Sequence, residues 1–366
     1  MQKVVVFMPS FAGGGAESVT LALCGGLARN HFDVHLVVGT GDGELRDSVP
    51  DDVSTCDIGA SRTAYAIGGL LRYLRRERPD VVISAISHAN IIAAFAVKLA
   101  MCRCKLIVVH HNTTSISTRR TLRRRDRLVP LLCGIAYRLA DRIIAVSAGV
   151  ADDLARSSHL PIERIQVLPN PIDYARIREL SRDAARQDSV PCGDGPLLVA
   201  AGRLEPQKGL DTLLRSIAQV ESPCRLVILG DGSLRAELLS LVENLGLAGR
   251  VSLPGFVANP YPYFRQAQVY VLSSRWEGLP TVLLEALAFR LRIVSTDCPS
   301  GPSEILSGVQ GAELVPVDDP GGLAAAIERA ISAGPLGTVR EEWREYDSAL
   351  VIRQMCEVVH ELSHGD

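Results

Sequence analysis

Short runs of apolar residues recur along this chain, separated by stretches with the spacing of amphipathic helices. A strand that is apolar at every position is buried on both faces, which is typical of a parallel sheet covered by helices. The runs predict twelve strands, at 4–8, 34–38, 81–84, 106–110, 143–146, 166–168, 197–200, 226–229, 251–253, 269–272, 293–295 and 314–315. The pattern therefore predicts an α/β fold built from repeated strand–helix–strand units.

The strand–helix alternation restarts after a polar segment that contains glycine and proline, Asp183–Pro196, which we interpret as a linker. A length of 366 residues is comfortable for two domains. We expect a doubly wound, Rossmann-like domain over residues 1–185 and a second over 186–345. A final helix over 346–366 is expected to pack back on the first domain. Two such domains would face a cleft, with ligands at the carboxyl ends of the strands.

Composition narrows the class of protein. Hydrophobic residues make up 47% and charged residues 22%, as in ordinary globular domains. No apolar run reaches the roughly 18 residues of a membrane span, and the first residues read as a strand and not as a signal peptide. The nine cysteines lack the spacing of a zinc site. We expect a cytoplasmic protein with reduced thiols.

Charge is distributed unevenly, although the net charge is −2. Residues 1–180 contain 23 Lys+Arg against 17 Asp+Glu, or +6, and the remainder contains 16 against 24, or −8. Much of the excess lies in one stretch, formed by Arg119, Arg120, Arg123, Arg124, Arg125 and Arg127. The stretch indicates either an anionic partner, such as a lipid head group, a pyrophosphate or nucleic acid, or simply a solvated surface.

A glycine-rich turn, Gly13–Gly15, follows the first predicted strand and precedes a helix. Glycines allow the backbone to approach a phosphate closely, and the start of a helix offers unpaired N–H groups. The spacing is not GxGxxG, which disfavours a dinucleotide site of the Rossmann type. A tight turn without a ligand is the alternative.

The segment Gly202–Gly209 contains Lys208, the only lysine after residue 105. Because the chain has only four lysines, 35 of its 39 Lys+Arg residues are arginines. A compact ammonium is not interchangeable with a planar guanidinium where one phosphate oxygen must be met in a tight space. Lys208 is therefore a candidate phosphate ligand, with a chance surface lysine as the alternative.

A predicted helix over Pro280–Leu287 begins shortly after the strand at 269–272. Pro280 fits its first position, which leaves the N–H groups of Thr281 and Val282 available to a diphosphate.

Glu277 precedes this helix, and Glu285 lies inside it on an otherwise apolar surface. A carboxylate in that position needs a partner. The partner is either a pair of sugar hydroxyls or a cation such as Arg203.

These motifs together resemble retaining glycosyltransferases of family 4, which have the GT-B fold. The matching motifs occur in order along nearly the whole chain: GGAE at 14–17, HHN at 110–112, AVS at 145–147, LPNPID at 168–173, GRLxxxKG at 202–209, LGDG at 229–232 and Glu277-x7-Glu285. The segment Ser295–Leu306 looks like bacterial hexosaminyl or hexosyl transferases that act on polyprenyl-diphosphate-linked glycans.

The resemblance implies roles for individual residues. Arg203 and Lys208 would neutralise the departing diphosphate, and Glu285 would hold the ribose hydroxyls. Glu277 would bind the donor sugar, together with the backbone of the residues that follow it: Gly278, Leu279, Pro280 and Thr281. Gly14 and Gly15 would approach the diphosphate from the other domain. His111 would lie beside the donor sugar, with His110 as the fallback.

The implied activity is transfer of a hexose or N-acetylhexosamine, with retention and without a metal, from a nucleotide diphosphate sugar, UDP-sugar favoured. The acceptor would be a glycan, lipid-linked, in bacterial surface polysaccharide or glycoconjugate synthesis. The sequence contains no Asp-x-Asp that could hold a metal–diphosphate. Front-face attack is favoured over a nucleophilic role for Glu277. The arginine stretch would place the enzyme peripherally on the inner face of the cell membrane.

Rival interpretations are a soluble small-molecule acceptor, a donor-binding protein without activity, and a UDP-sugar epimerase or hydrolase of similar fold. The last would need acid–base groups, for which only His110 and His111 are well placed. Nucleic acid is disfavoured because the arginine stretch lacks interleaved aromatic residues. A phosphorylase that uses pyridoxal phosphate would need a second lysine in the C-terminal half. The sequence has none, so this class of enzyme is excluded.

Overall fold

The computed structural model of the protein describes residues 1–60, 63–113, 115, 129–183, 190–191, 193–336 and 342–364. They form two compact units, one made of residues 1–171 with 346–366 and the other of residues 172–345. Each unit contains one parallel sheet with helices between its strands. The predicted α/β class, with two doubly wound, Rossmann-like domains, is confirmed.

The first unit contains a seven-stranded sheet. Its strands are β1 (Lys3–Ser10), β2 (Asp33–Thr40), β3 (Ser54–Asp57), β4 (Val81–Ala85), β5 (Lys105–His110), β6 (Arg142–Ala145) and β7 (Ile165–Val167). Its helices are α1 (Gly15–Arg29), α2 (Thr63–Glu77), α3 (Ser87–Ala100), α4 (Val129–Arg138) and α5 (Ala148–Ser158). All strand pairs are parallel, in the order β3-β2-β1-β4-β5-β6-β7.

The second unit contains a six-stranded sheet. Its strands are β8 (Leu197–Ala201), β9 (Arg225–Leu229), β10 (Val251–Gly255), β11 (Val269–Leu272), β12 (Arg292–Thr296) and β13 (Ala312–Val315). Its helices are α6 (Tyr174–Leu180), α7 (Leu210–Ile217), α8 (Arg235–Asn244), α9 (Tyr261–Gln266), α10 (Thr281–Ala288), α11 (Pro302–Leu306) and α12 (Pro320–Ser332). The order is β10-β9-β8-β11-β12-β13, again with parallel pairs.

The strand order reverses next to the first strand of each sheet. β1 lies between β2 and β4, and β8 lies between β9 and β11. At such a reversal the connecting helices leave in opposite directions, and a crevice opens at the carboxyl ends of the strands. The candidate segments Gly202–Gly209 and Ser273–Pro280 directly follow β8 and β11, and Gly13–Gly15 lies in the loop between β1 and α1. The fold therefore places all three at the positions where ligands of such sheets bind.

The structure contains one strand that the apolar pattern does not predict. β3 has the sequence Ser-Thr-Cys-Asp and pairs in parallel with β2 at the edge of the first sheet. Its side chains are exposed or half-buried, so it does not need the apolar residues that mark the inner strands. Polar residues also protect an edge strand from pairing with other chains.

The boundary between the two units lies before Ile172, whereas the sequence prediction placed it after residue 185. The reason is α6, which packs against α9 and α10 of the second unit. The side-chain amide of Asn259 also donates hydrogen bonds to the carbonyl of Leu180 at 2.8 Å and to the carboxylate of Asp183 at 2.9 Å. The helix before the expected linker thus belongs to the second unit.

The last helix, α13 (Ser348–His364), belongs to the first unit, although it follows the second in sequence. It packs against α1 so closely that a Cβ on Gly26 would lie 2.3 Å from Cδ1 of Ile352. Arg142, at the start of β6, also forms an ion pair with Glu361 of α13, at 3.1 Å.

In the part of the chain that the structure describes, no helix combines the length and the apolar character needed to cross a membrane.

Candidate active site

Two segments that follow neighbouring strands meet in the second unit. Gly209 ends the segment after β8 with φ +57°, and a Cβ there would lie 2.2 Å from the carbonyl oxygen of Ser273, the first residue after β11. The hydroxyl of Ser273 donates to the carbonyl of Lys208 at 2.8 Å. Only glycine permits this approach, which brings Lys208 beside the second segment.

Lys208 is bound to Glu277 in this structure. Its Nζ lies 2.6 Å from Oε1 of Glu277, and the hydroxyl of Ser274 donates to the same oxygen, also at 2.6 Å. The Glu277 side chain is 8% exposed and that of Lys208 17%, so the pair is largely withdrawn from water. The sequence prediction gave the two residues separate ligands, the diphosphate and the sugar, and did not anticipate their contact.

Arg275 holds the same two segments in place. Its guanidinium donates to Asp318 at 2.6 Å, to Asp211 at 2.8 Å and to the carbonyl of Pro206 at 2.8 Å. Its backbone N–H donates to the carbonyl of Gln207. Arg275 therefore fixes the positions of the residues on either side of Lys208. Sequence reasoning assigned it no role, because its partners are distant in the chain.

Arg203 lies one residue after the glycine that opens the first segment. A Cβ on Gly230 would lie 2.0 Å from the carbonyl oxygen of Gly202, so the LGDG turn packs directly on this backbone. The Arg203 side chain is exposed, and no residue in the described part of the chain forms an ion pair or hydrogen bond with it. Its positive charge is therefore available for an anionic ligand.

Glu285 lies on α10, half-buried, where burial raises the pKa of its carboxyl to about 7. Within the described residues, the carboxylate of Glu285 forms no ion pair and no hydrogen bond. The alternative, in which it pairs with Arg203, is therefore wrong. A carboxylate whose ionised form is disfavoured by its surroundings is stabilised by hydroxyl donors. Glu285 can therefore accept hydrogen bonds from a ligand.

The start of α10 differs by one residue from the prediction. The helix begins at Thr281, and Pro280 is the residue before it, with φ −73° and ψ 92°. The N–H groups of Thr281 and Val282 have no acceptor in the described part of the chain. Leu279 is buried, and the Ser300 hydroxyl donates to the carbonyl of Gly278 at 2.8 Å. The residues before the helix are thus fixed, and its first N–H groups can meet an anion.

In the first unit, Gly14 is the residue immediately before α1, and Gly15 begins the helix. A Cβ on Gly14 would lie 2.2 Å from the Glu17 carboxylate, whereas one on Gly15 would meet nothing within 4 Å. The backbone at Gly15 therefore faces open space, as an approach to a phosphate requires. Packing therefore does not require a glycine at position 15.

The histidine doublet lies at the carboxyl end of β5. His110 is fully buried, and its Nδ1 lies 2.8 Å from the hydroxyl of Tyr137. His111 is half-buried, and its Nδ1 has no hydrogen-bond partner among the described residues. Burial lowers the pKa of both rings to about 4, so both are neutral at pH 7. Because His110 is committed to the core, His111 is the better placed of the two for a ligand.

Comparisons with known proteins match both halves of the chain. A family model described as Glycosyltransferase Family 4 matches residues 13–176, and one described as Glycosyl transferases group 1 matches residues 195–333. The chain belongs to the GT-B glycosyltransferases of family 4. The resemblance to family 4 and the GT-B fold, carried by the sequence motifs, is thereby confirmed.

Two relatives and one solved structure illustrate what this glycosyltransferase resembles. It is 28% identical to the N-acetylgalactosamine-N,N'-diacetylbacillosaminyl-diphospho-undecaprenol 4-alpha-N-acetylgalactosaminyltransferase of Campylobacter jejuni, over 87% of each chain. It is 27% identical to the amylovoran biosynthesis glycosyltransferase AmsD of Erwinia amylovora, over 84% of each. Its fold matches Anabaena HepE in complex with UDP and glucose, with a TM-score of 0.79 at 18% identity over 99% of this chain and all of HepE.

The arginine stretch of the glycosyltransferase, Arg119, Arg120, Arg123, Arg124, Arg125 and Arg127, lies outside the described residues. Among the residues that the structure describes, no group of three or more His, Cys, Asp or Glu side chains is arranged to hold a metal ion.

Proposed function

We propose that this glycosyltransferase transfers a hexose or N-acetylhexosamine from a UDP-sugar with retention of configuration and without a metal ion. The observation that carries the proposal is the arrangement after β8 and β11: the Lys208–Glu277 pair, the exposed guanidinium of Arg203 and the uncapped N–H groups of α10. The neighbouring structure of HepE holds UDP and glucose, which supports a UDP-sugar donor. The proposed mechanism follows from how the positive charges of Arg203, Lys208 and the start of α10 would act on the donor diphosphate.

Breaking the bond between the anomeric carbon and the diphosphate oxygen leaves positive charge on the sugar and negative charge on the phosphate. Arg203 and Lys208 would meet that negative charge, together with the N–H groups of Thr281 and Val282. In many enzymes, the largest single contribution to the rate enhancement comes from preorganised positive charge at the point where an anion develops. Two cationic side chains and a helix N-terminus would perform the neutralisation that a divalent ion performs elsewhere, which supports a metal-independent reaction.

Glu277 is better suited to positioning than to attack. Its Oε1 already accepts from Nζ of Lys208 and the hydroxyl of Ser274, and such charge-assisted bonds lower the nucleophilicity of a carboxylate. We therefore propose front-face transfer. The acceptor oxygen bonds to the anomeric carbon on the face that the diphosphate leaves, and the departing phosphate oxygen takes the acceptor proton. Glu277, with the backbone of residues 278–281, would hold the sugar hydroxyls.

The remaining roles are proposals of the same kind. Glu285 would accept hydrogen bonds from the ribose, which its unpartnered carboxylate favours. Gly14 and Gly15 would lie against the diphosphate, Gly15 donating its backbone N–H and Gly14, whose own N–H donates to the carbonyl of Ala12, allowing the close approach. His111, neutral at pH 7, would exchange a hydrogen bond with the donor sugar.

The acceptor proposed is a polyprenyl-diphosphate-linked glycan in bacterial surface polysaccharide or glycoconjugate synthesis, reached from the cytoplasmic face of the membrane. Two relatives support this acceptor: the Campylobacter enzyme is named as a transferase that acts on a diphospho-undecaprenol-linked glycan, and the Erwinia enzyme is named for amylovoran biosynthesis.

The test is transfer by the purified protein from UDP-N-acetylgalactosamine and UDP-glucose to a short polyprenyl-diphosphate-linked glycan, with the product anomer read by NMR. An α-linked product from the α-configured donor is expected. A β-linked product would exclude retention. Release of free sugar or formation of an epimeric UDP-sugar, without any transfer product, would favour a hydrolase or an epimerase.

A further inference from the structure

A cavity of about 230 Å³ lies in the second unit, between α6, α9 and the end of α10. Two of its lining residues, Phe289 and Arg290, directly precede β12 and so lie at the amino end of that strand. The helix α10 has eight residues, which places its end about 12 Å from the N–H groups at its start. The lining residues include none of those assigned to the candidate active site.

Three arginines from three different elements line this cavity: Arg178 of α6, Arg265 of α9 and Arg290 after α10. Their side chains form no ion pair within the part of the chain that the structure describes, although Arg265 donates to the carbonyl of Ser181 at 3.4 Å. Acids are not scarce in this unit, because residues 172–345 contain 22 Asp+Glu against 17 Lys+Arg. Like charges around one cavity repel each other, and an anion between them would remove that repulsion.

Stabilisation of helix ends does not fully explain the three arginines. A cation near the end of a helix interacts favourably with the roughly half a negative charge there, and this effect explains one arginine for each helix. It does not explain why all three line the same cavity. Because three full charges exceed three half-charges, the cavity also keeps a net positive charge.

The inner wall of the cavity is apolar and held in place by other aromatic residues. Tyr174 and Ile177 are buried. The ring of Tyr174 packs on Trp343 with the centroids 4.0 Å apart, and its hydroxyl donates to the Trp343 carbonyl at 3.2 Å. Phe289 stacks on Tyr261 with the centroids 6.2 Å apart. An apolar wall behind a cationic rim suits a ligand that has an apolar body and an anionic group.

Phosphate is the anionic group that suits three guanidinium groups best. A guanidinium presents its N–H donors in a planar fork that matches pairs of phosphate oxygens. A phosphate monoester offers three such oxygens and close to two negative charges at pH 7, whereas a carboxylate offers two oxygens and one charge. The cavity is smaller than the roughly 300–1,000 Å³ of pockets that enclose drug-sized ligands, so the ligand is small.

We propose that this cavity binds a small organic phosphate monoester. Arg178, Arg265 and Arg290 hold the phosphate, and the body of the ligand lies against Tyr174 and Phe289. This site is additional to the donor site, and it does not depend on the proposed sugar transfer.

The test is calorimetric titration of the full-length protein with phenyl phosphate, in the presence of saturating UDP so that the donor site is occupied. Phenyl phosphate should bind about 10-fold more tightly than inorganic phosphate, because its ring is buried against the apolar wall. The double variant Arg178→Gln, Arg290→Gly should bind it about 100-fold more weakly, from the loss of two charged hydrogen bonds. Unchanged affinity in the double variant, or equal affinity of the wild type for phenyl phosphate and inorganic phosphate, would overturn the proposal.

Two controls separate a site from loss of structure and from general attraction to positive charge. Arg290 has φ +56°, in the left-handed region that favours glycine, so Arg290→Gly alone should unfold at a temperature no lower than the wild type. Arg215→Gln removes an exposed arginine of α7 that has no ion pair within the described residues, and it should bind phenyl phosphate like the wild type. An equal loss of binding in Arg215→Gln would contradict the site.

Titration with UDP alone separates this inference from the proposed function. The double variant should bind UDP like the wild type, since neither arginine belongs to the donor site. If UDP does not bind while phenyl phosphate binds in an Arg178- and Arg290-dependent way, the donor assignment fails and the cavity site stands. If UDP binds and phenyl phosphate does not, the cavity site fails and the donor assignment stands.

Discussion

Lys208 and Glu277 form a buried ion pair across 69 residues of sequence, with Nζ and Oε1 2.6 Å apart. The pair joins the segment after β8 to the segment after β11, at the point where the strand order of the second sheet reverses. It gives the ammonium group a fixed position before any donor binds. It also means that the two residues cannot be tested independently, because each is the other's counter-charge.

Replacement of Lys208 by alanine should reduce both transfer and stability. We expect a loss of about 10- to 150-fold in kcat/KM, from one charged hydrogen bond to the donor. We also expect a loss of about 3 kcal/mol in the free energy of unfolding, because the carboxylate of Glu277 stays buried without its cation. Steady-state kinetics and urea denaturation measure the two effects.

The double variant Lys208→Ala, Glu277→Gln separates the effect on transfer from the effect on stability. It removes the uncompensated charge, so most of the stability should return while the transfer rate stays low. Recovery of the rate together with the stability would show that Lys208 serves only the fold.

Local patterns explain how much of this site the sequence could predict. The strands are predicted because each is a run of apolar residues. The sequence also predicts that Gly202–Gly209 and Ser273–Pro280 lie at the carboxyl ends of strands, because each segment directly follows such a run. The edge strand β3 is missed because an exposed strand needs no apolar residues. The contacts of Lys208 with Glu277, and of Arg275 with Asp211 and Asp318, join distant parts of the chain, and no spacing in the sequence reports them.

Replacement of Arg275 by alanine should weaken donor binding without removing a donor contact. Arg275 touches Asp211, Asp318 and the carbonyl of Pro206, so its loss frees the segment that carries Lys208. We expect a several-fold rise in the dissociation constant for UDP and a loss of about 1–2 kcal/mol in stability, modest because the two aspartates are about 40% exposed. Calorimetric titration with UDP and thermal denaturation test this.

Arg275→Lys is the matched control. A lysine keeps the charge but cannot reach three acceptors in fixed geometry. The UDP affinity and the stability of this variant should therefore lie between those of the wild type and of the alanine variant. Wild-type affinity in the alanine variant would exclude a positioning role.

Removal of divalent ions should leave transfer unchanged. The proposal assigns neutralisation of the leaving diphosphate to Arg203, Lys208 and the start of α10, so EDTA should not lower the initial rate. The measurement is the rate before and after dialysis against EDTA, with Arg203→Ala as a parallel sample that should be slow under both conditions. A rate that collapses in EDTA and returns with Mn²⁺ would exclude metal independence.

Replacement of Glu285 by glutamine should stabilise the free enzyme while reducing its activity. Burial raises the pKa of Glu285 in the folded state to about 7, from an ordinary value of 4.5. Its contribution to stability is therefore fully present below pH 4.5 and is lost as the pH rises through 7. Glutamine stays neutral, so the variant should match the wild type near pH 4.5 and exceed it by about 1–3 kcal/mol at pH 8. Urea denaturation at both pH values measures the difference.

Donor binding should show the opposite dependence on pH. Ribose hydroxyls donate to the ionised carboxylate, so the affinity of the wild type for UDP should fall as the pH drops below 7. The glutamine variant should bind UDP about 10- to 150-fold more weakly at pH 8, from the loss of one charged hydrogen bond. Its remaining pH dependence reports only the titration of the UDP phosphates and of other groups, so the difference between the two proteins isolates Glu285. If the two affinity profiles run parallel from pH 5.5 to 8, Glu285 does not bind the nucleotide, and its burial in α10 has another cause.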